Sequence, residues 1–238
     1  MVDAVILSGR GRYSDPWHPY DETGPLLAEL VEEAGFDPRI ETGIDAAVRT
    51  LDPAVRLLVV NAGDPDGPDS GGRSDGDGPR DEHAMPETAL LAEGEAVLAT
   101  ALARGIGVLV MHSGAASLRD YPSFGTALGG RWVRGESWHP DFGEAHVHVV
   151  AGHPLADGLV DFTVEDERYT ALRMDAEVQR LAEHEEAGVR HPLVWTRELG
   201  ASRLVYDALG HDARSYDSAG HRELLARALA WLADLPGR

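Results

Sequence analysis

The first half of the chain alternates short apolar runs with longer amphipathic stretches. The apolar runs have the length of buried strands, and they occupy residues 4–9, 56–63 and 107–112. The amphipathic stretches repeat apolar residues at helical spacing, close with a glycine, and occupy residues 23–36 and 86–105. A shorter strand at 38–43 and a shorter helix at 45–51 complete the pattern. This alternation predicts an α/β fold with parallel strands and helices on both faces of the sheet.

After residue 131, strand-like stretches follow one another without long helices between them. They occupy residues 145–150, 162–168, 178–184, 192–198 and 202–209. A final amphipathic stretch at 219–235 predicts a helix that packs back on the sheet. Residues 64–83 are nearly all Gly, Pro, Asp, Ser and Arg, which cannot build a core, and predict a mobile loop. The length and the single pattern predict one domain, residues 1–238.

Composition narrows the classes of function. The chain has no cysteine, which excludes disulfides, thiolate metal ligands and cysteine nucleophiles. Its formal net charge of −20 makes nucleic acid and anionic membrane surfaces poor partners, because binding them depends on local positive potential. The sequence has neither an apolar run of membrane-spanning length nor a signal-like N-terminus, so we expect no membrane span and a cytoplasmic protein.

Polar and aromatic residues follow the predicted strands at the point where each strand ends. Ligands of open parallel sheets bind at the carboxyl ends of the strands, so these residues are candidates for a site. The candidates directly after strands are Tyr13, Trp17, His18, Asn61, His112, Ser113, His211 and Asp212. Further candidates in the second half are Trp138, His139, Glu167, Trp195 and Arg197. Histidines, tryptophans and carboxylates at one rim predict a polar site with aromatic walls.

An ordered set of short motifs leads to a family resemblance. The motifs are GVLVMH, ALGGRW, WHP, GHPLADGL, VEDERY, PLVWTRELG, SRLVYDALGHD and ARALAWL. In this order the chain resembles the ThuA-like, or trehalose-utilisation, family. The resemblance implies a fold similar to the class I glutamine amidotransferases, a flavodoxin-like three-layer α/β/α sandwich with a mainly parallel central sheet. It also implies a role in the catabolism of trehalose or related sugars, with a small sugar or sugar derivative as the partner.

His112 stands at the strand-to-helix corner where the similar amidotransferases carry a cysteine nucleophile. Because the chain has no cysteine, glutaminase activity is excluded. The partial positive charge of a helix N-terminus would lower the pKa of an imidazole at this corner. We therefore expect a neutral His112 that acts as a base, a hydrogen-bond partner or a metal ligand. A nucleophilic Ser113 is disfavoured, because no G-x-S-x-G frame surrounds it and adjacent strand residues point to opposite faces.

The resemblance also carries over individual residues. The positions that match the family pattern are His18, His112, Glu167, Tyr169, Trp195, His211 and Asp212, and Arg197 follows Trp195 as a polar residue does in the family's tryptophan motif. Two features depart from the pattern. Arg168 stands at a usually apolar place in VEDERY, and the loop at 64–83 is an addition, so we expect the lid of the site to differ.

For some of these residues the sequence is equally compatible with a purely structural role. Glu167 belongs to a run of three acids, which is usually a solvated face. Strand alternation would place Glu165 and Glu167 on one side and Asp166 on the other. Trp138 and Trp195 suit either a sugar-stacking surface or the core, and His18 lies in an aromatic-rich turn that suits packing as well.

Two functions of different classes fit the sequence. The first is a sugar-processing enzyme that acts on a trehalose-like or keto sugar by hydrolysis, elimination or isomerisation. His112 would be the base and Glu167 or His211 its partner, with His18 and Asp212 in the same catalytic set. The substrate would be bound by Tyr13, Trp17, Asn61, Trp138, His139, Tyr169, Trp195 and Arg197. The second is a non-catalytic carbohydrate-binding or regulatory protein on the same scaffold.

Cofactors and assembly are less constrained by the sequence. A variant of the enzyme hypothesis places a divalent metal ion on His18, His112 and His211 with a carboxylate, where it would polarise a carbonyl, although no tight spacing motif supports it. No nucleotide cofactor is expected, because the G-x-G after the first strand lacks the third glycine of the dinucleotide fingerprint. A homodimer is compatible with such a fold.

Overall fold

The computed structural model describes residues 2–65 and 87–234. Most of the predicted mobile loop, residues 66–83, lies outside the described residues, as does Pro86 at the expected start of a helix. No helix in the described ranges is long and apolar enough to cross a membrane.

The strands and helices follow the predicted pattern closely in the first half. The strands are β1 (Ala4–Ser8), β2 (Pro38–Glu41), β3 (Leu57–Asn61), β4 (Gly107–Met111), β5 (Gly130–Arg131), β6 (Gly143–Val149), β7 (Phe162–Asp166), β8 (Arg173–Met174), β9 (Gln179–Glu186), β10 (Val189–Leu199) and β11 (Ser202–Asp207). The helices are α1 (Tyr20–Glu33), α2 (Ile44–Arg49), α3 (Thr88–Arg104), α4 (Pro122–Leu128) and α5 (Ala219–Ala233). The short helix α4 was not expected from the sequence. Gly105 ends α3 as expected, with a φ of +97° that favours glycine.

One large mixed sheet organises the described residues, in the strand order β2-β1-β3-β4-β11-β10-β9-β6-β7. The strands from β2 to β11 in this order are parallel, which confirms the predicted α/β fold. The strands from β10 to β7 are antiparallel to their neighbours, so the sheet is less uniformly parallel than expected. For β9, β10 and β11 the reason is local: only two residues separate β9 from β10 and β10 from β11, and a connection of that length joins only antiparallel strands.

The core lies along the parallel strands. Every residue of β1, β3 and β4 is buried, as expected for strands covered on both faces. Because β1, β3, β4 and β11 are parallel, their carboxyl ends meet at one edge of the sheet. The residues after these ends, together with the end of β7, supply the candidate site.

Candidate functional site

His112 lies directly after β4 at this edge. Its φ of +41° is in the left-handed region, which strains a non-glycine residue by about 1–3 kcal/mol. The chain then turns into a 3-10 helix, His112–Ala116. Gly114 makes the turn sterically possible, because a Cβ there would lie 2.6 Å from Val110 Cγ1. The imidazole points toward the loop after β11, where its Nδ1 donates a 2.6 Å hydrogen bond to the Ala208 carbonyl.

His18 comes from the loop between β1 and α1 and is held by Asp15. The Asp15 carboxylate accepts a hydrogen bond from His18 Nδ1 at 2.7 Å and also accepts the backbone N–H groups of Trp17 and His18 at 3.0 Å each. Burial alone would raise the pKa of Asp15, but His18 and the two N–H groups outweigh it and lower the pKa. Because a carboxylate only accepts, Nδ1 carries the proton and leaves the lone pair of Nε2 facing the site.

Glu167 and His211 are brought together by Asp166. The Asp166 side chain is fully buried, and its carboxylate accepts hydrogen bonds from the N–H groups of Glu167 (2.8 Å), Gly210 (2.7 Å) and His211 (3.2 Å). This carboxylate therefore ties the end of β7 to the loop after β11. The expected alternation of the acidic run fails here, because β7 ends at Asp166 and both Asp166 and Glu167 turn inward while Glu165 stays exposed.

Four side chains thus converge, and we call His18, His112, Glu167 and His211 the histidine–glutamate cluster. Glu167 Oε2 lies 3.4 Å from His112 Nε2 and 3.3 Å from His211 Nδ1. The three imidazole centroids lie 5.0 to 5.4 Å apart. One nitrogen or carboxylate oxygen from each residue lies within 4.8 Å of the others, so these four residues could hold a metal ion.

The charges of Glu167 and His112 stabilise each other. Burial would raise the pKa of Glu167, but His112 and His211 hold it well below its usual range, so this carboxyl is ionised. Burial would lower the pKa of His112, but the carboxylates of Glu167 and Asp166 outweigh it and raise the pKa. The expectation of a lowered pKa at this corner was therefore wrong, because two carboxylates count for more than the end of a short 3-10 helix.

A pocket of about 450 Å³ opens onto the cluster. Its lining includes His18 and Glu167 together with the predicted binding residues Trp17, His139 and Tyr169. The Tyr169 ring lies 4.2 Å from the His112 ring, and the Tyr169 hydroxyl is 3.5 Å from His18 Nε2. His139 Nδ1 is 3.7 Å from the second oxygen of Glu167.

Two predicted binding residues of the first half are structural instead. Tyr13 is buried, and its hydroxyl donates a 2.8 Å hydrogen bond to Asp45. Asn61 is buried, and its amide donates a 2.9 Å hydrogen bond to Thr23. Their place after a strand end was correct, but both side chains turn away from the pocket to satisfy buried polar groups. Ser113 lines the pocket, and its hydroxyl is hydrogen-bonded to the Tyr20 hydroxyl at 2.9 Å.

Three predicted residues of the second half also lie apart from the cluster. Trp195 is fully buried, and its indole N–H donates a 2.9 Å hydrogen bond to the Leu128 carbonyl. The Arg197 guanidinium donates to the Ala127 carbonyl at 3.0 Å and lines a different cavity beside α4. Asp212, which the sequence placed in the catalytic set, accepts the N–H of Arg214 at 2.9 Å and pairs with that side chain.

Trp138, predicted to bind the substrate, is exposed but does not line the pocket. Its side chain is 45% exposed, and its backbone pairs with Thr170. Sequence reasoning missed Asp15 and Asp166, the two carboxylates that orient the cluster. The spacing Asp15-x-x-His18 was a signal for the first, whereas nothing in the acidic run distinguished Asp166 as the buried member.

A comparison with protein-family models identifies the family. The model named ThuA, described as trehalose utilisation, matches residues 83–232, which is well over half of the chain. This range contains His112, Glu167 and His211, while His18 lies before it. No curated protein matches the chain in sequence.

Solved structures share the fold at low sequence identity. A ThuA-like protein from Parabacteroides merdae ATCC 43184 is 19% identical, with a TM-score of 0.72 over 100% of this chain and 92% of that one. A ThuA-like protein from Bacteroides uniformis ATCC 8492 is 15% identical, with a TM-score of 0.68 over 97% and 91%. A β-galactosidase from Rahnella sp. R3 is 13% identical, with a TM-score of 0.59 over 99% of this chain but 32% of that one. At these identities the likeness concerns the fold alone.

Proposed function

The chain belongs to the ThuA, or trehalose-utilisation, family, and from this premise we propose that it is an enzyme that processes trehalose or a related sugar or keto sugar. The family places the protein in a carbohydrate-related role. The reaction and the substrate are our proposal.

The observation that carries the proposal is that His18 and Glu167, two members of the histidine–glutamate cluster, line a pocket with aromatic side chains. Trp17, Trp132 and Tyr169 line the pocket and provide flat apolar surfaces for the faces of a sugar ring. His18 and Glu167 are among the polar side chains of the lining that would orient its hydroxyls. A pocket of about 450 Å³ is within the usual range for small-molecule sites.

The cluster suits polar chemistry at a sugar oxygen. An ionised Glu167 cannot donate a proton, so its part is to accept hydrogen bonds and to stabilise positive charge beside it. The imidazoles supply proton-exchanging or electron-pair-donating nitrogens at the same point, which is what hydrolysis, elimination or isomerisation at a carbonyl or glycosidic oxygen requires. Glutaminase chemistry has no nucleophile here, since the chain contains no cysteine.

A panel of sugars tests the proposed function. We expect the purified protein to convert at least one member of a panel of trehalose, other disaccharides and their keto derivatives, with products detected by mass spectrometry. Binding of a panel member without conversion would favour the non-catalytic alternative, for which the exposed Trp17 and Trp138 provide stacking surfaces. Neither conversion nor binding would count against both functions.

Asp166 provides a further prediction, because it positions two members of the cluster without facing the pocket. In Asp166→Asn the amide NH₂ replaces one acceptor oxygen and opposes a backbone N–H of the 210–211 loop. We expect turnover to fall about 10- to 100-fold, as for other groups that orient reacting side chains. Glu165→Gln removes an exposed charge from the same acidic run and should change turnover little. Equal activity of both variants would contradict the positioning role.

The same proposal includes the arrangement of layers. We infer a flavodoxin-like three-layer sandwich, because the helices fall into two contact groups. α1 packs with α5, whereas α2 and α4 both pack with α3. If each group of helices covers one face of the sheet, the arrangement explains both these helix contacts and the burial of the strands on both faces.

A further inference from the structure

We propose that the histidine–glutamate cluster binds a divalent first-row transition-metal ion through His18 Nε2, His112 Nε2, His211 Nδ1 and the Glu167 carboxylate. The metal site stands on the geometry of these side chains. Its catalytic consequence rests on the proposed function.

The distances between the donor atoms suit a single ion. Nitrogen and oxygen ligands lie about 2.0–2.2 Å from such an ion, so neighbouring ligands are about 3.4 Å apart in a tetrahedron and opposite ones about 4.2 Å apart in an octahedron. Glu167 Oε2 is 3.4 Å from His112 Nε2 and 3.3 Å from His211 Nδ1. The widest separation within the set is up to 4.8 Å, so it would have to shorten by about 0.6 Å to fit opposite corners of an octahedron and by about 1.4 Å to fit a tetrahedron.

The hydrogen bonds around the cluster orient lone pairs toward one point. The Nδ1–H group of His18 donates a hydrogen bond to Asp15 at 2.7 Å, and the Nδ1–H group of His112 donates one to the Ala208 carbonyl at 2.6 Å. Metal-bound histidines almost always donate their second ring nitrogen in this way, to a carboxylate or a backbone carbonyl. A carboxylate and a carbonyl can only accept a hydrogen bond, so Nδ1 of each histidine carries the proton. This tautomer leaves the lone pair of Nε2 free to bind an ion.

Two buried ring nitrogens of the cluster lie within ion-pair distance of Glu167 but make no hydrogen bond among the described residues. They are His112 Nε2 and His211 Nδ1. An unpaired buried polar atom normally raises the free energy of the folded state. Coordination of an ion would satisfy both nitrogens and the carboxylate together.

The donor set also selects the class of metal. Three imidazole nitrogens and one carboxylate suit zinc, iron, manganese, cobalt or nickel, whereas calcium and magnesium prefer oxygen ligands. When bound, such an ion supplies Lewis-acid polarisation of a substrate oxygen. His18 and Glu167 line the pocket, so the ion would lie within reach of a sugar there.

Metal analysis with matched variants tests the proposal. The metal content of protein prepared without a histidine tag or chelator is measured by inductively coupled plasma mass spectrometry. Bound metal is then removed, and the affinities for Zn²⁺ and for Mn²⁺ are measured in separate calorimetric titrations. We expect about one ion per chain, and a loss of about 100-fold or more in affinity for His112→Ala. The control His146→Ala removes an exposed histidine of β6 and should bind like the wild type.

A second variant keeps the test decisive if His112→Ala does not fold. Asp15→Asn leaves all four ligands in place but weakens the acceptor behind His18, so we expect affinity to fall about 10- to 100-fold with an unchanged circular dichroism spectrum. Stripped wild type that binds neither ion, or binds both no better than His112→Ala, overturns the proposal. Sugar turnover that persists in ion-free protein removes the catalytic role of the ion and leaves the proposed function. One bound ion without turnover of any sugar leaves the metal site and counts against the proposed function.

Discussion

Glu167→Gln is expected to reduce sugar turnover by about 10²- to 10⁴-fold, the range that a positioned acid–base group contributes, because His112 as that group depends on the Glu167 charge. Glutamine has nearly the same shape but no charge, so the change removes the negative partner that lies 3.4 Å from His112 and 3.3 Å from His211. Without that carboxylate the pKa of His112 falls, because burial then meets less opposition. The loss should appear in kcat and in kcat/KM, measured on the best substrate of the panel across a range of pH.

The control for this prediction lies two residues away in the same acidic run. Glu165 is exposed on β7, and Glu165→Gln makes the same change of charge without touching the cluster. We expect its turnover to match the wild type. If Glu167→Gln also retained full turnover, the reaction would have to take place elsewhere, and the assignment of the cluster as the reaction centre would be wrong.

Trp195→Ala is expected to destabilise the protein by about 3–5 kcal/mol, the range for removing a large buried aromatic side chain. The indole has no exposed surface, its ring lies 4.1 Å from the Tyr206 ring, and its N–H is bonded to a backbone carbonyl at 2.9 Å. The truncation therefore leaves a cavity and an unpaired carbonyl at once. A loss of this size is a large part of the stability of a typical domain, about 5–15 kcal/mol.

Urea denaturation followed by far-ultraviolet circular dichroism measures this effect. Trp17→Ala is the matched control, because Trp17 is 56% exposed and its removal should change the free energy of unfolding by about 0.5 kcal/mol or less. Similar stabilities for the two variants, with loss of sugar binding in Trp195→Ala, would instead support the interpretation of Trp195 as a stacking surface.

The sequence by itself determined the order of elements and the edge at which the site lies. Apolar runs of strand length between amphipathic stretches require a sheet covered by helices, and parallel strands bring their carboxyl ends to one edge. His18, His112 and His211 could therefore be named as candidates from their place after strands. The family resemblance added Glu167, whose position in an acidic run carried no chemical signal of its own.

Only the tertiary structure decided which of these side chains meet and in what state. His112 is bonded to Ala208, 96 positions along the chain, and Asp166 reaches across to the 210–211 loop, so both contacts depend on strand order rather than on local sequence. A polar or aromatic residue after a strand can face either the pocket or the core, and its local sequence is the same in both cases. Packing placed Trp195 in the core and Glu167 in the cluster, because burial and hydrogen-bond satisfaction are settled between distant segments.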